Sequence, residues 1–174
     1  MPVIPLRRLA WSVVLSIGVT AACSKVKHER HTFIPASVEA GESVGITLSA
    51  FGSWSRQTRT DTVIEVSGSP YILELRVHGL GQSVSGVDLI VHDSLSQRAD
   101  TFVTWDVKAW DPADSTMVFA IRKGVTLAPR THYFSGRVRV TGGDDSENRS
   151  FAGTLRDSLL VEQRNRLTER LRGL

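Results

Sequence analysis

Apolar residues recur at every second position in short runs along most of this chain, and that period restricts the fold more than any other feature. Val44, Ile46, Leu48 and Ala50 alternate with Ser43, Gly45, Thr47 and Ser49, so in extended backbone the two sets point to opposite faces. The same period returns in Tyr71, Leu73, Leu75 and Val77; in Val87, Leu89 and Val91; in Val103, Trp105 and Val107; and in Met117, Phe119 and Ile121. It continues in Phe134, Gly136, Val138 and Val140, and in a last run of Phe151, Gly153 and Leu155 that extends to Leu159 and Val161. A less regular strand is expected over Thr62 to Val66.

Turn-forming clusters separate these runs: Ala40-Gly41-Glu42, Gly68-Ser69-Pro70, the stretch Gly79 to Gly86, Asp111-Pro112-Ala113-Asp114, and Gly142-Gly143-Asp144-Asp145. Seven to eight short strands without an interior helical period predict an all-β fold, a sandwich of two antiparallel sheets over residues 33–162, with a small barrel as the alternative. The 41% of hydrophobic residues is enough to fill one core of this size.

The N-terminus has another character. Arg7 and Arg8 precede an apolar run from Leu9 to Val19, followed by the small residues Thr20, Ala21 and Ala22, which is the order of a secretory signal over residues 1–22. Eleven apolar residues fall short of the roughly 20 that a spanning helix needs. The sequence Thr20-Ala21-Ala22-Cys23 resembles the lipobox of bacterial lipoproteins, with threonine where leucine is usual. The resemblance implies cleavage before Cys23, diacylglycerol on its thiol and acylation of the new amino group. Two or three acyl chains anchor stably where one does not, at about 0.8 kcal/mol per buried methylene. Ordinary signal cleavage after Ala22 is the alternative. Ser24 after the cysteine favours, by the same resemblance, the outer membrane in a didermal source, so the expected address is the cell envelope.

Cys23 is the only cysteine, so no intramolecular disulfide is available to the exported domain. Residues 24–32 are polar and charged and read as a tether. From Gln163 to Leu174, Leu167, Leu171 and Leu174 recur at helical spacing among Arg164, Arg166, Arg170 and Arg172, which predicts a cationic tail or a short helix. Removing Arg7 and Arg8 from the 21 basic residues leaves 19 against 18 acidic ones. That balance, with no Lys/Arg stripe interleaved with aromatics, argues against nucleic acid as a partner.

The Ala40 to Ala50 segment and the stretch Leu127 to Val140 resemble an early strand and the penultimate strand of bacterial immunoglobulin-like domains. In that family a tyrosine ties down the connection before the penultimate strand. Alternation with Val138 and Val140 puts this register on Phe134, with Tyr133 on the other face, unless a bulge near Gly136 resets it. The family's inter-sheet cysteine pair is absent.

Catalytic motifs are scarce. His92-Asp93-Ser94 holds triad residue types, but consecutive strand residues face opposite ways. His28-Glu29-Arg30-His31 is one residue short of the zinc motif in which two histidines stand four apart on a helix. Asp144 to Asn148 concentrates oxygen ligands without the spacing of a calcium loop. No catalytic residue, metal site or cofactor is therefore assigned. An envelope enzyme would need His78, His92 or His132 to converge with carboxylates. The expectation is a membrane-anchored, non-enzymatic interaction module whose partner is an envelope protein, a glycan or the cell wall, with a passive spacer as a further alternative. Trp54, Arg56 and Arg59, in an expected loop over 53–60, and Trp110 beside Asp111-Pro112 are the candidate contact residues.

Overall fold

A computed structural model describes residues 25–41, 44–68, 70–79, 84–93, 100–142 and 145–165. The signal segment and Cys23 lie outside them. The described chain is all-β, with twelve strands and no helix. In chain order these are β1 (Lys25–Ile34), β2 (Ala36–Glu39), β3 (Gly45–Phe51), β4 (Trp54–Arg59), β5 (Thr62–Gly68), β6 (Ile72–His78), β7 (Val84–Asp93), β8 (Asp100–Val103), β9 (Val107–Asp111), β10 (Thr116–Ala120), β11 (His132–Gly142) and β12 (Asp145–Asn165). Seven form one antiparallel sheet in the order β5-β4-β1-β12-β11-β7-β8, and five form another in the order β2-β3-β6-β10-β9.

The described chain divides into two compact units. The larger comprises His31–Trp54 and Gly68–Leu159. Its core is the product of alternation: Ile46, Leu48, Leu73, Leu75 and Val77 from one sheet are buried with Val87, Leu89, Val91, Phe134, Val138, Phe151 and Leu155 from the other in a single cluster. Each such side chain contributes about 1.5–3 kcal/mol by leaving water. Two polar ties lie at the margin of this core, one part-buried and one exposed. Trp105 Nε1 donates to the Val87 carbonyl at 2.9 Å, and Lys108 Nζ lies over the Phe119 ring while donating to the Ser85 carbonyl at 3.0 Å.

On β11 and β12 the core uses glycine opposite phenylalanine, twice and reciprocally. Phe134 pairs across the strands with Gly153, and Gly136 with Phe151. Each ring fills the space that a side chain on its partner would take, and the two rings lie 6.4 Å apart. Phe134 is buried and Tyr133 exposed, and the register shift of β11 against β7 falls between Arg139 and Val140, so Gly136 does not reset the alternation.

The smaller unit comprises residues 25–30, Ser55–Ser67 and 160–165 among the described ones. Its hairpin, β4 and β5, turns at Thr60 and Asp61 with φ of 44° and 63°, the backbone of a type I′ turn. The Ser55 and Ser67 hydroxyls are 2.6 Å apart between the two strands.

Several sequence expectations are corrected. The described residues form twelve strands instead of seven or eight. The segment read as a tether is strand from Lys25 onward, because backbone hydrogen bonds to β4 and β12 on either side hold a charged sequence extended. The expected loop over 53–60 is largely strand β4. Val103, Trp105 and Val107 do not share one strand: the chain crosses between sheets there, Val103 and Trp105 pack with the core, and Val107, paired with Ala120, falls on the face of β9 opposite to Trp110 and outside the core cluster. Leu159 and Val161 are exposed. Residues Gln163 to Asn165 continue β12, and the rest of the expected tail lies outside the described residues.

Candidate binding surface

The outward face of β8, β7, β11 and β12 follows from the registers that bury their inward residues. The cross-strand rows that face out include Gly86, Arg139 and Asn148; Asp88, Arg137 and Ser150; Phe102, Ile90, Ser135 and Ala152; and His92, Tyr133 and Thr154. A half-buried face of an antiparallel sheet is expected to be polar outward. Here Phe102 is 73% exposed and Tyr133 56% exposed. Between them Ile90 is half-buried, and His92 Nε2 lies 3.2 Å from the Ser135 hydroxyl. A shallow groove of about 740 Å³ runs along Asp88, Ile90, Ser135, Arg137, Ser150 and Ala152. Aromatic edges, hydroxyls and charges of both signs thus share a solvent-facing surface. Sequence parity carried the signal for both rings: Tyr133 precedes the inward Phe134, and Phe102 precedes the inward Val103.

The expected contact residues fall elsewhere. Trp54 is half-buried, its ring edge-on to His31 with centroids 5.1 Å apart. His31 Nδ1 lies 2.7 Å from Asp157 Oδ2, an ion pair when the imidazole is protonated, which ties β1 to β12. Behind this pair the hydroxyl of Tyr71 is buried without a hydrogen-bond partner, as is Asp157 Oδ1. Burial raises the Tyr71 phenol above its ordinary value near 10, the Asp157 carboxylate adds to the rise, and the Trp54 backbone opposes it in smaller part. Trp54 is therefore packed into a polar cluster and not displayed on a loop. Trp110 faces inward opposite Met117 and packs against the core, half-buried. Arg56 and Arg59 stand on β4 in the smaller unit, their Nε atoms buried without a hydrogen-bond partner. Arg56 borders a hollow of about 190 Å³ with His28, Glu29, Arg30, Ser55 and Gln57.

The three histidines on which an enzymatic reading depended go to separate partners. His78 Nδ1 lies 2.9 Å from the Thr116 hydroxyl, His92 meets Ser135, and His132 Nε2 donates to the Ala128 carbonyl at 2.9 Å. No group of three His, Cys, Asp or Glu side chains among the described residues is arranged to hold a metal ion. The acidic stretch after Asp144 is strand, with Glu147 paired to Arg149 at 3.1 Å. No helix among the described residues is long and apolar enough to cross a membrane. Compared with known protein families, curated proteins and solved structures, the chain matches none.

Proposed function

We propose that the protein is a lipid-anchored module of the bacterial cell envelope that binds a partner non-enzymatically through the outer face of β8, β7, β11 and β12. The exposure of Phe102 and Tyr133 on that face carries the binding reading. Anchoring rests on Cys23 behind its short apolar run.

The architecture proposed is an immunoglobulin-like sandwich with additions. Strands β3, β6, β10 and β9 follow the family order A-B-E-D, and β12, β11, β7 and β8 follow G-F-C with one further strand. Strand β11 then stands as the penultimate strand. At its start His132, by its bond to Ala128, makes the tie that the corner tyrosine makes in that family. On this reading β4 and β5 are inserted between the first two strands.

Crosslinking in intact cells of the tagged protein with Cys23 preserved, followed by mass spectrometry, tests the binding reading. Reproducible capture of one envelope protein or wall fragment, lost in a Phe102→Ser, Tyr133→Ser double variant, supports it. Capture that survives the double variant removes the face from consideration. Separately, Cys23→Ala is expected to abolish incorporation of labelled fatty acid, and undiminished incorporation would refute the anchor.

A further inference from the structure

Each sheet ends in two edge strands, and their unpaired backbone groups are open to another strand unless something blunts them. Three of the four edges are blunted. Strand β2 has four residues, follows Pro35 and ends on Glu39. Strand β8 has four. Strand β9 has five, carries Lys108 and Asp111, and is followed by Pro112.

Strand β5 is the exception. It has seven residues, each exposed, and nothing among the described residues pairs with its outer edge. It contains no proline, lysine or arginine, and its single charge is Glu65. Val63, Ile64 and Val66 are 41%, 46% and 55% exposed, so the edge presents apolar side chains on both faces as well as free N–H and C=O groups. Hydrophobic contact alone would use one face. An open backbone row flanked by apolar residues suits an added strand, whose main chain supplies affinity and whose alternate side chains supply selectivity.

We propose that β5 is a docking edge for an extended segment of a partner protein, with β-branched residues beside Ile64 and Val66 and a lysine or arginine against Glu65. Charge complementarity selects a foreign strand over a second copy of this chain. The fully overlapped antiparallel pairing of two β5 strands is centred on Glu65 and sets two carboxylates directly opposite, which is destabilising. The proposal does not depend on the outer face of β8, β7, β11 and β12, so either surface can fail without the other.

The probe is a fluorescent peptide, capped at both ends, that alternates valine and threonine around one central lysine. Its partner probe has the same side chains but N-methyl groups at alternate residues, which remove the hydrogen bonds of one edge. With the full chain, anisotropy is expected to show binding that N-methylation weakens at least about tenfold, the loss of roughly 1.4 kcal/mol. Ile64→Lys with Val66→Lys, both at exposed positions, is expected to weaken it similarly. Glu65→Lys is expected to reverse the preference from a lysine to a glutamate peptide, and amide exchange is expected to slow over residues 62–68 at saturation. Equal binding of the two peptides overturns the proposal, as does unchanged exchange over 62–68 at saturation or no binding up to about 1 mM. Self-association abolished by Ile64→Lys would overturn it in favour of a second copy.

Discussion

Replacing Gly136 by alanine tests the packing of the β11–β12 pair. A methyl group there would lie 2.2 Å from the Asp88 carbonyl oxygen and 2.5 Å from Phe151 Cζ. A methyl on Gly153 would lie 2.5 Å from Phe134 Cζ and 2.6 Å from Val38 Cγ1, which are ends of side chains and not backbone. Rings as buried as Phe134 and Phe151 have little room to turn, but a side chain yields more cheaply than a paired strand. Overpacking costs about 1–3 kcal/mol, and Gly136→Ala belongs at the upper end because β7 itself must move. Against this, alanine restricts the unfolded chain and returns about 0.4–1 kcal/mol. The expected net loss is roughly 2 kcal/mol for Gly136→Ala and about 1 kcal/mol for Gly153→Ala. At about 2–4 °C per kcal/mol the first lowers the melting midpoint by roughly 4–8 °C. Thermal and urea unfolding by circular dichroism measure both.

A double-mutant cycle sharpens the test. Phe134→Leu is expected to remove much of the cost of Gly153→Ala, a coupling of about 0.5–1 kcal/mol, since the shortened side chain frees the space. Phe151→Leu is expected to relieve Gly136→Ala far less, because the Asp88 carbonyl remains in place. A Gly136→Ala protein as stable as the parent, or relieved as fully as Gly153→Ala, would refute this account of the packing.

Thr60 and Asp61 both hold left-handed backbone that asparagine and glycine adopt more readily, so Thr60→Asn with Asp61→Gly is expected to stabilise the β4–β5 hairpin by about 1 kcal/mol, read as slower amide exchange in Trp54–Arg59. His132→Phe keeps a ring beside Phe33 but leaves the Ala128 carbonyl without its donor, and an equilibrium unfolding loss of about 1–3 kcal/mol is expected. Tyr71 ionises above 10 when folded and near 10 when unfolded, so above pH 10 the folded state holds the extra proton and stability falls as pH rises toward the folded value. Tyr71→Phe is expected to flatten that alkaline decline, and in a Tyr133→Phe background tyrosinate absorbance should show Tyr71 titrating above the free phenol; an unshifted titration would contradict its burial.

Strands β3, β6, β7, β10 and β11 were legible because each buries one face, so side-chain chemistry records the backbone period directly. Strands β1 and β4 were not. Lys25 to Arg30 and Ser55 to Arg59 carry no apolar alternation, and they are strands because neighbouring strands satisfy their backbone groups, which residue types do not encode. The placement of the aromatic residues was hidden for a related reason. Trp54 and Trp110 attract notice as tryptophans, but which way a ring points depends on register, and register turns Trp110 inward against Met117. Phe102 and Tyr133 draw less notice by type, and only their parity against Val103 and Phe134 reveals that they face solvent.

The same register explains why an open edge on β5 is affordable to the fold. Strands β3 and β6 are direct antiparallel neighbours, with Phe51 opposite Ile72 and Ala50 opposite Leu73, so their pairing is already closed before β4 and β5 are counted. The chain leaves the larger unit after Trp54 and rejoins it at Gly68, where an added methyl would meet Trp54 Cδ1 at 2.7 Å, so the two ends of the excursion touch. None of residues 55–67 is buried, and none belongs to the core cluster. Core packing therefore does not account for Val63, Ile64 and Val66, which a solvated hairpin has no need to carry. A strand laid along β5 would cover them, and the requirements of the core leave that edge free to be shaped by its partner.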